Sequence, residues 1–198
     1  MDLAQRTLNL ARRLGILRPK DLGAHGIART YLQRLRDQGL LRQVGRGLYV
    51  PAEANLSAQS NLAAVARRVP GAVVCLLSAL RVHDLTTQSP FEVWIAIPKR
   101  ARMPKADGLP LRVVRMAPKP LAAGVVKVRV DGVQVPVFDL EKTVADCFRF
   151  RARIGLDVAL EAMRECLRRP RRNVERLLSY AAIDRVADSM RPYLEAML

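Results

Sequence analysis

The sequence predicts an α+β chain in two parts, on three observations. Helical spacing followed by a glycine-tipped hairpin occupies the first fifty residues, short strand-like runs occupy the middle, and helical stretches close the chain. Strands and helices fall in blocks rather than alternating, so a doubly wound parallel sheet is not expected. At 198 residues, 50% of them hydrophobic and 26% charged, the chain has enough apolar side chains for a real core in one ordinary domain or two small ones. That composition excludes a disordered tail, and no repeat period points to collagen, a coiled coil or a solenoid.

The first elements follow from capping residues and periodicity. Asp2 is placed to cap a helix whose apolar positions Leu3, Leu8, Ala11 and Leu14 share a face, and Gly15 ends it. Ile16-Leu17-Arg18 reads as a short extended piece. Pro19 suits the first turn of a second helix running to about Ala24, and His25-Gly26 makes a tight turn. Ile27 opens a third helix that runs to Gln38 and stops at Gly39. Its buried stripe is Ile27, Tyr31 or Leu32, and Leu35, which leaves Arg29, Thr30, Gln33, Arg34 and Arg36 facing outward. Leu40 to Val44, the turn Gly45-Arg46-Gly47 and Leu48-Tyr49-Val50 form a hairpin with a cation at its tip. Three short helices and a basic-tipped hairpin make a winged helix-turn-helix over residues 1–52, the plan in which a third helix enters the major groove. A small helical domain with a solvated basic face has the same periodicity; the run from Gly39 to Tyr49 favours the wing.

A mixed α/β domain is expected over residues 57–198. Pro51 to Leu56 reads as a linker, and Ser57 caps a helix through Arg68. Ala72 to Cys75 is a buried strand or the apolar start of a helix continuing to His83. Phe91–Ile97, Leu111–Met116, Gly124–Val130 and Val133–Val137 read as strands, the last two joined by the strong hairpin turn Asp131-Gly132, with a basic loop over 99–110. The sheet then has about four strands. Helices over about Asp139–Arg149, Asp157–Leu167, Asn173–Ala182 and Asp184–Leu198 make a C-terminal helical cluster.

Charge is the most informative quantity. The chain carries 34 Lys and Arg, 28 of them arginine, against 18 Asp and Glu, for a formal net charge of +16. A high-GC genome inflates arginine without function, so distribution matters. Residues 1–50 hold ten cations and three anions, a denser excess than residues 51–140 (twelve and six) or 141–198 (twelve and nine). Arginine suits bidentate contacts to phosphate and guanine, which makes a polyanion the expected partner. Arg29, Thr30, Gln33 and Arg34 would read or grip the major groove of double-stranded DNA, with Arg36 a further DNA-binding residue on the same helix. Arg46 would reach phosphate or the neighbouring minor groove, and Lys20 and Arg42 would hold phosphates.

Catalytic chemistry is thin. His83 ends an apolar helix, and Ser78 lacks the G-x-S-x-G turn of a hydroxyl nucleophile. Asp139, Glu141, Lys142 and Asp146 are the one dense acid–base cluster; a metal-dependent nuclease would use such carboxylates, but Asp139 reads as an N-cap and Lys142–Asp146 as an i,i+4 pair. No glycine loop precedes a Lys-Ser or Lys-Thr. Arg168 to Arg172 form a basic knuckle, a solvated loop or a contact for phosphate or an acidic partner. Three dispersed cysteines, Cys75, Cys147 and Cys166, argue against a disulfide framework or zinc module. The N-terminus lacks the order of a signal peptide, and the run Ala72 to Leu80 is too short to span a bilayer. The expectations are therefore no catalytic residues, no metal, no cofactor, no membrane partner and a cytoplasmic location.

Several separate strings resemble one family. They are Val69 to Leu80 with His83, Leu85 and Thr86; Val93 to Pro98; Lys142 to Phe148; Arg151 with Ile154 to Asp157 and Ala159 to Ala162; Arg46 to Tyr49; and Arg191 to Glu195. Together they resemble the AbiEi-type antitoxins of bacterial abortive-infection (type IV) toxin–antitoxin pairs. The resemblance implies a winged-helix domain that represses its own operon at inverted repeats. It also implies a C-terminal domain that counteracts a nucleotidyltransferase-like toxin, and no enzymatic activity. An orphan winged-helix repressor without a toxin has the same sequence features.

Overall fold

In a computed structural model the described residues are 2–88, 90–105 and 108–198; residues 106 and 107 of the expected basic loop fall outside them. The chain groups into two compact units: residues 1–70 with 104–110 and 128–135, and residues 71–103 with 111–127 and 136–198.

The first unit opens with α1 (Leu3–Leu14), α2 (Pro19–Gly23) and α3 (Thr30–Asp37), followed by β1 (Leu41–Gly45), β2 (Leu48–Pro51) and α4 (Ser60–Arg68). Leu8, Ala11, Leu17, Leu22, Ile27, Leu32, Leu35, Leu41 and Tyr49 form its core. Burying each leucine contributes about 1.5–3 kcal/mol. The extended piece at Leu17 pairs with the hairpin through a single antiparallel bridge: the Leu17 N–H donates to the Tyr49 carbonyl at 2.8 Å and the Tyr49 N–H to the Leu17 carbonyl at 2.9 Å.

Two helix starts and one cap differ from the sequence reading in informative ways. The third helix begins at Thr30, not Ile27, because the Ile27 N–H is held by the Leu22 carbonyl at 3.1 Å and its side chain fills the core. The fourth begins at Ser60, because Ser57 is taken by Asp131, which accepts from its backbone N–H at 3.0 Å and its hydroxyl at 3.2 Å. At the first helix, Asp2 supplies the extended N-cap backbone while its carboxylate makes no capping bond.

The second unit continues with β3 (Val73–Val74), α5 (Leu76–Val82), β4 (Val93–Pro98), β5 (Leu111–Met116), α6 (Pro118–Ala122), β6 (Val125–Val130) and β7 (Val133–Phe138), although residues 128–135 of the last two strands and their turn group with the first unit. It ends with α7 (Leu140–Arg149), α8 (Arg151–Ile154), α9 (Leu156–Arg168), α10 (Val174–Asp184) and α11 (Ala187–Glu195). The architecture is α+β. The sheet has five strands in the order β5-β4-β3-β7-β6, with β3 antiparallel to β4 and parallel to β7, and β4 parallel to β5. The fifth strand is Val73–Val74, so the segment left open between strand and helix is both in succession. Central β4 is buried over Val93 to Ile97, as an apolar run in a sheet interior requires, while Arg112 and Arg115 on β5 and Lys127 and Arg129 on β6 charge the two edges. The Asp131-Gly132 turn has positive φ at both residues, 46° and 79°, the type I′ geometry that favours such a pair. Trp94, Phe138, Val144, Phe148, Met163 and Met190 lie in the core of this unit.

Gly15, at φ 72°, lies so close to the Asp131 carbonyl that an added Cβ would sit 2.2 Å from its oxygen, whereas a Cβ added at Gly23 in α2 would meet nothing beyond its own helix within 4 Å among the described residues. Chemical denaturation should therefore show Gly15→Ala destabilised by about 2 kcal/mol or more and Gly23→Ala stabilised by about 0.5–1 kcal/mol.

Candidate nucleic-acid interface

The outer face of α3 is built by its inner one. Leu32 and Leu35 are fully buried, at 1% and 0% exposure, which fixes the helix rotation and turns Thr30, Gln33, Arg34 and Asp37 outward at three- and four-residue spacing. Arg34 stacks over the Tyr31 ring at 5.7 Å. Arg29, at the N-cap of α3, is exposed, as are Lys20 and Arg46. Arg46 stands at the wing turn, where Gly47 takes a φ of 67° and lies against the Pro19 ring at the start of α2.

The structure separates the eight sequence-selected residues into three groups. Lys20, Arg29 and Arg46 line one cleft of about 420 Å³. Thr30, Gln33 and Arg34 form the exposed helix face. Arg36 and Arg42 have protein acceptors: Arg36 donates to Asp37 at 2.9 Å, and Arg42 to the Ala54 carbonyl at 2.6 Å.

Three cleft residues escape the sequence reading, namely Arg18, Arg67 and Arg68. Arg18 and Arg67 share the carboxylate of Asp21. Arg18 Nη2 donates to Asp21 at 2.9 Å, the Arg18 N–H donates to the same carboxylate at 2.9 Å, and Arg67 pairs with it from α4. Arg18 Nη1 also donates to the Arg67 carbonyl at 2.6 Å, so one side chain ties the start of α2 to the end of α4. Burial alone would raise the Asp21 pKa, but the Arg18 hydrogen bonds and the Arg67 charge hold it below the ordinary value. Burial, then the neighbouring Arg18 charge, pushes the Arg67 pKa down. The only sequence signal was the Arg67-Arg68 doublet at a helix end, where basic residues also serve the helix dipole.

The second unit uses its acids internally. Asp139 caps α7, accepting from the Lys142 N–H at 2.8 Å; its other oxygen accepts from the Tyr180 hydroxyl at 2.8 Å and from Arg176. Glu141 lies 4.0 Å from Arg176. The Lys142 ammonium is fully buried between Asp146, at 2.5 Å, and Asp184, at 3.0 Å, and lies 4.7 Å from the Phe138 ring centre. The His83 ring donates to the Phe138 carbonyl at 2.7 Å, and the Ser78 hydroxyl accepts from the Trp94 N–H at 2.9 Å. Among the described residues no group of three His, Cys, Asp or Glu is arranged to hold a metal ion. Among them, too, no helix is long and apolar enough to cross a membrane.

These elements define a winged helix-turn-helix protein with a second, sheet-and-helix unit. Residues 5–52, from within α1 through the wing, match the family described as "Transcriptional regulator, AbiEi antitoxin". The fold is similar to that in the crystal structure of the RV2827C protein from Mycobacterium tuberculosis, with a TM-score of 0.52 and 19% sequence identity over 97% of this chain and 80% of that one. A comparison with curated proteins gives no match.

Burial, then the second carboxylate of Asp184, raises the Asp146 pKa to about 8 against the attraction of Lys142. The folded state therefore holds a proton that the unfolded chain releases near pH 4, and this contribution to stability falls as pH rises from about 4 to 8. Denaturation across that range should show the decline in the native chain and its loss in Asp146→Asn. Lys142→Met, which removes the one buried cation facing Asp146 and Asp184, should cost about 3–5 kcal/mol at neutral pH.

Proposed function

We propose that this chain is a DNA-binding antitoxin that represses its own toxin–antitoxin operon at inverted repeats and counteracts a nucleotidyltransferase-like toxin, acting in the cytoplasm without catalysis of its own. The observation that carries the reading is the exposed face of α3, with Thr30, Gln33 and Arg34 beside the wing residue Arg46, inside the stretch that matches the antitoxin regulators. Residues 1–52 carry the DNA work, and residues 57–198 carry the antitoxin work. Arg29, Thr30, Gln33 and Arg34 read or grip the major groove, where Arg and Gln reach base edges. Lys20, Arg36, Arg42 and Arg46 hold the backbone. Pairing with a single carbonyl or carboxylate does not disqualify Arg36 or Arg42, because a guanidinium has five donors.

Because the family match covers only residues 5–52, an orphan repressor without a toxin is the second reading. A gel-shift titration with the duplex upstream of the gene, beside a scrambled duplex, tests the first half. The native duplex should be preferred and the preference should survive higher salt. Equal binding that collapses with salt would reduce the charge to non-specific attraction. Arg46→Ala should weaken both duplexes alike and flatten the salt slope by about one, while Gln33→Ala should relax preference at one base position by about 1–3 kcal/mol.

Co-expression tests the second half. The full chain should rescue cells from a neighbouring nucleotidyltransferase-like gene product, and residues 57–198 should do so alone. Rescue by the full chain without rescue by the fragment would overturn the division of labour. No toxicity in the neighbouring gene would favour the orphan repressor.

A further inference from the structure

Six cations converge on the cleft beside the wing, and they arrive from four places in the chain. Arg18 and Lys20 come from the start of α2, Arg29 from the N-cap of α3, Arg46 from the wing turn, and Arg67 and Arg68 from the end of α4. Asp21 is the carboxylate paired with Arg18 and Arg67 at 13% exposure. It balances one of the six charges. Arg18 and Arg67 are each only 17% exposed, so they are set in place rather than waving in solvent. The Arg67 Nε is buried and has no acceptor among the described residues. A surface that fixes guanidiniums this close together, in a lining dominated by donors, is complementary to an oxyanion that accepts several hydrogen bonds. Its place decides the source of that oxyanion. Arg29 adjoins Thr30 at the N-terminal end of α3, and Arg46 is the wing tip, so the cleft lies where a strand bordering the major groove passes a docked helix-turn-helix.

We propose that Arg67 and Arg68, carried on α4 outside the helix-turn-helix, complete with Lys20, Arg29 and Arg46 a clamp for a DNA backbone phosphate. Asp21 acts as the positioning residue that holds Arg18 and Arg67 on its floor. This rests on the DNA-binding reading above and extends the interface past residue 52, where the family match ends. It assigns α4 a grip that carries no sequence information, since phosphate contacts set register and affinity while base edges set specificity.

The test uses the full chain and measures affinity for the native and scrambled duplexes from about 50 to 200 mM salt. Arg68→Gln should weaken both duplexes by the same factor, about three- to tenfold, and reduce the magnitude of the salt slope by about one, with an unchanged melting temperature. Arg164→Gln, an exposed cation on α9, should leave the slope as it is. Asp21→Asn should reduce affinity for both duplexes although it removes a negative charge. A gain in affinity would show that Asp21 merely repels DNA and would overturn its positioning role. If Arg68→Gln has the native slope while Arg46→Ala still flattens it, the clamp is wrong and the winged-helix interface stands. A loss of preference at one base pair in Arg68→Gln would mean base readout and also overturn the clamp. Stabilisation of the native chain by inorganic phosphate, with no change of DNA slope in Arg68→Gln, would assign the cleft to free phosphate instead. If the native chain binds neither duplex, the DNA reading itself fails.

Discussion

The first unit depends on a problem of like charges, and Asp21 is its solution. Guanidiniums drawn together on a small surface repel, and in solvent they would spread out along flexible side chains. A single carboxylate, reached by Arg18 from its own helix and by Arg67 from 46 residues further along, turns that repulsion into a fixed arrangement. Exposed ion pairs contribute little, commonly under about 1 kcal/mol, because water and salt screen them. At 13–17% exposure this pair is better sheltered, and its geometry ties α2 to α4 through the Arg18 bond to the Arg67 carbonyl. The same atoms therefore decide where α4 ends and where the positive surface lies.

The second unit solves a different problem with similar parts. Lys142 is wholly buried with Asp146 and Asp184, and its charges face one another rather than a partner. Desolvating such a group is expensive, and an apolar replacement of equal shape is often as stable. What the arrangement provides is placement. Lys142 reaches both acids from one turn of α7, Asp184 comes from the end of α10, and Arg149 reaches the same Asp184 at 3.3 Å. Two helices are thus registered by a donor–acceptor match that a greasy contact would leave free to slide. Asp139, with Arg176 and Tyr180, repeats the device at the opposite end of the same helix pair.

The sequence made local periodicity legible and long-range proximity invisible. The three N-terminal helices, the hairpin and the Asp131-Gly132 turn are written in caps, glycines and spacing, which act within a few residues. The outward face of α3 is legible for the same reason: Leu32 and Leu35 announce which side is inward. Lys142 and Asp146 were visible as an i,i+4 pair, but not their complete burial, since paired charges at that spacing usually face water. Asp184, 42 residues away, gave no sign of joining them. Arg67 and Arg68 were hidden by the assumption that the residues after the small-residue stretch at 51–56 belong elsewhere, whereas α4 groups with the first unit. The helix start at Ser60 is displaced by a tertiary bond from Asp131 that no local rule contains, whereas that at Thr30 is displaced by the backbone bond from Ile27 to Leu22 that closes the preceding turn.

Arginine, rather than positive charge in general, is what this arrangement needs. A lysine presents one ammonium whose donors radiate from a single nitrogen; engaging a carboxylate brings the whole charge to that carboxylate. A guanidinium spreads its charge over a plane with five donors, so one edge can be held while another stays directed elsewhere. Arg18 shows the consequence: it meets Asp21 with Nη2 and Nε along one edge and the Arg67 carbonyl with Nη1, two directions from one side chain. Whatever sets the bulk ratio of 28 arginines to six lysines, at Arg18 and Arg67 the residue type has a structural reason. Lysine at either position would keep the net charge of the cleft and lose the fork that fixes it in space.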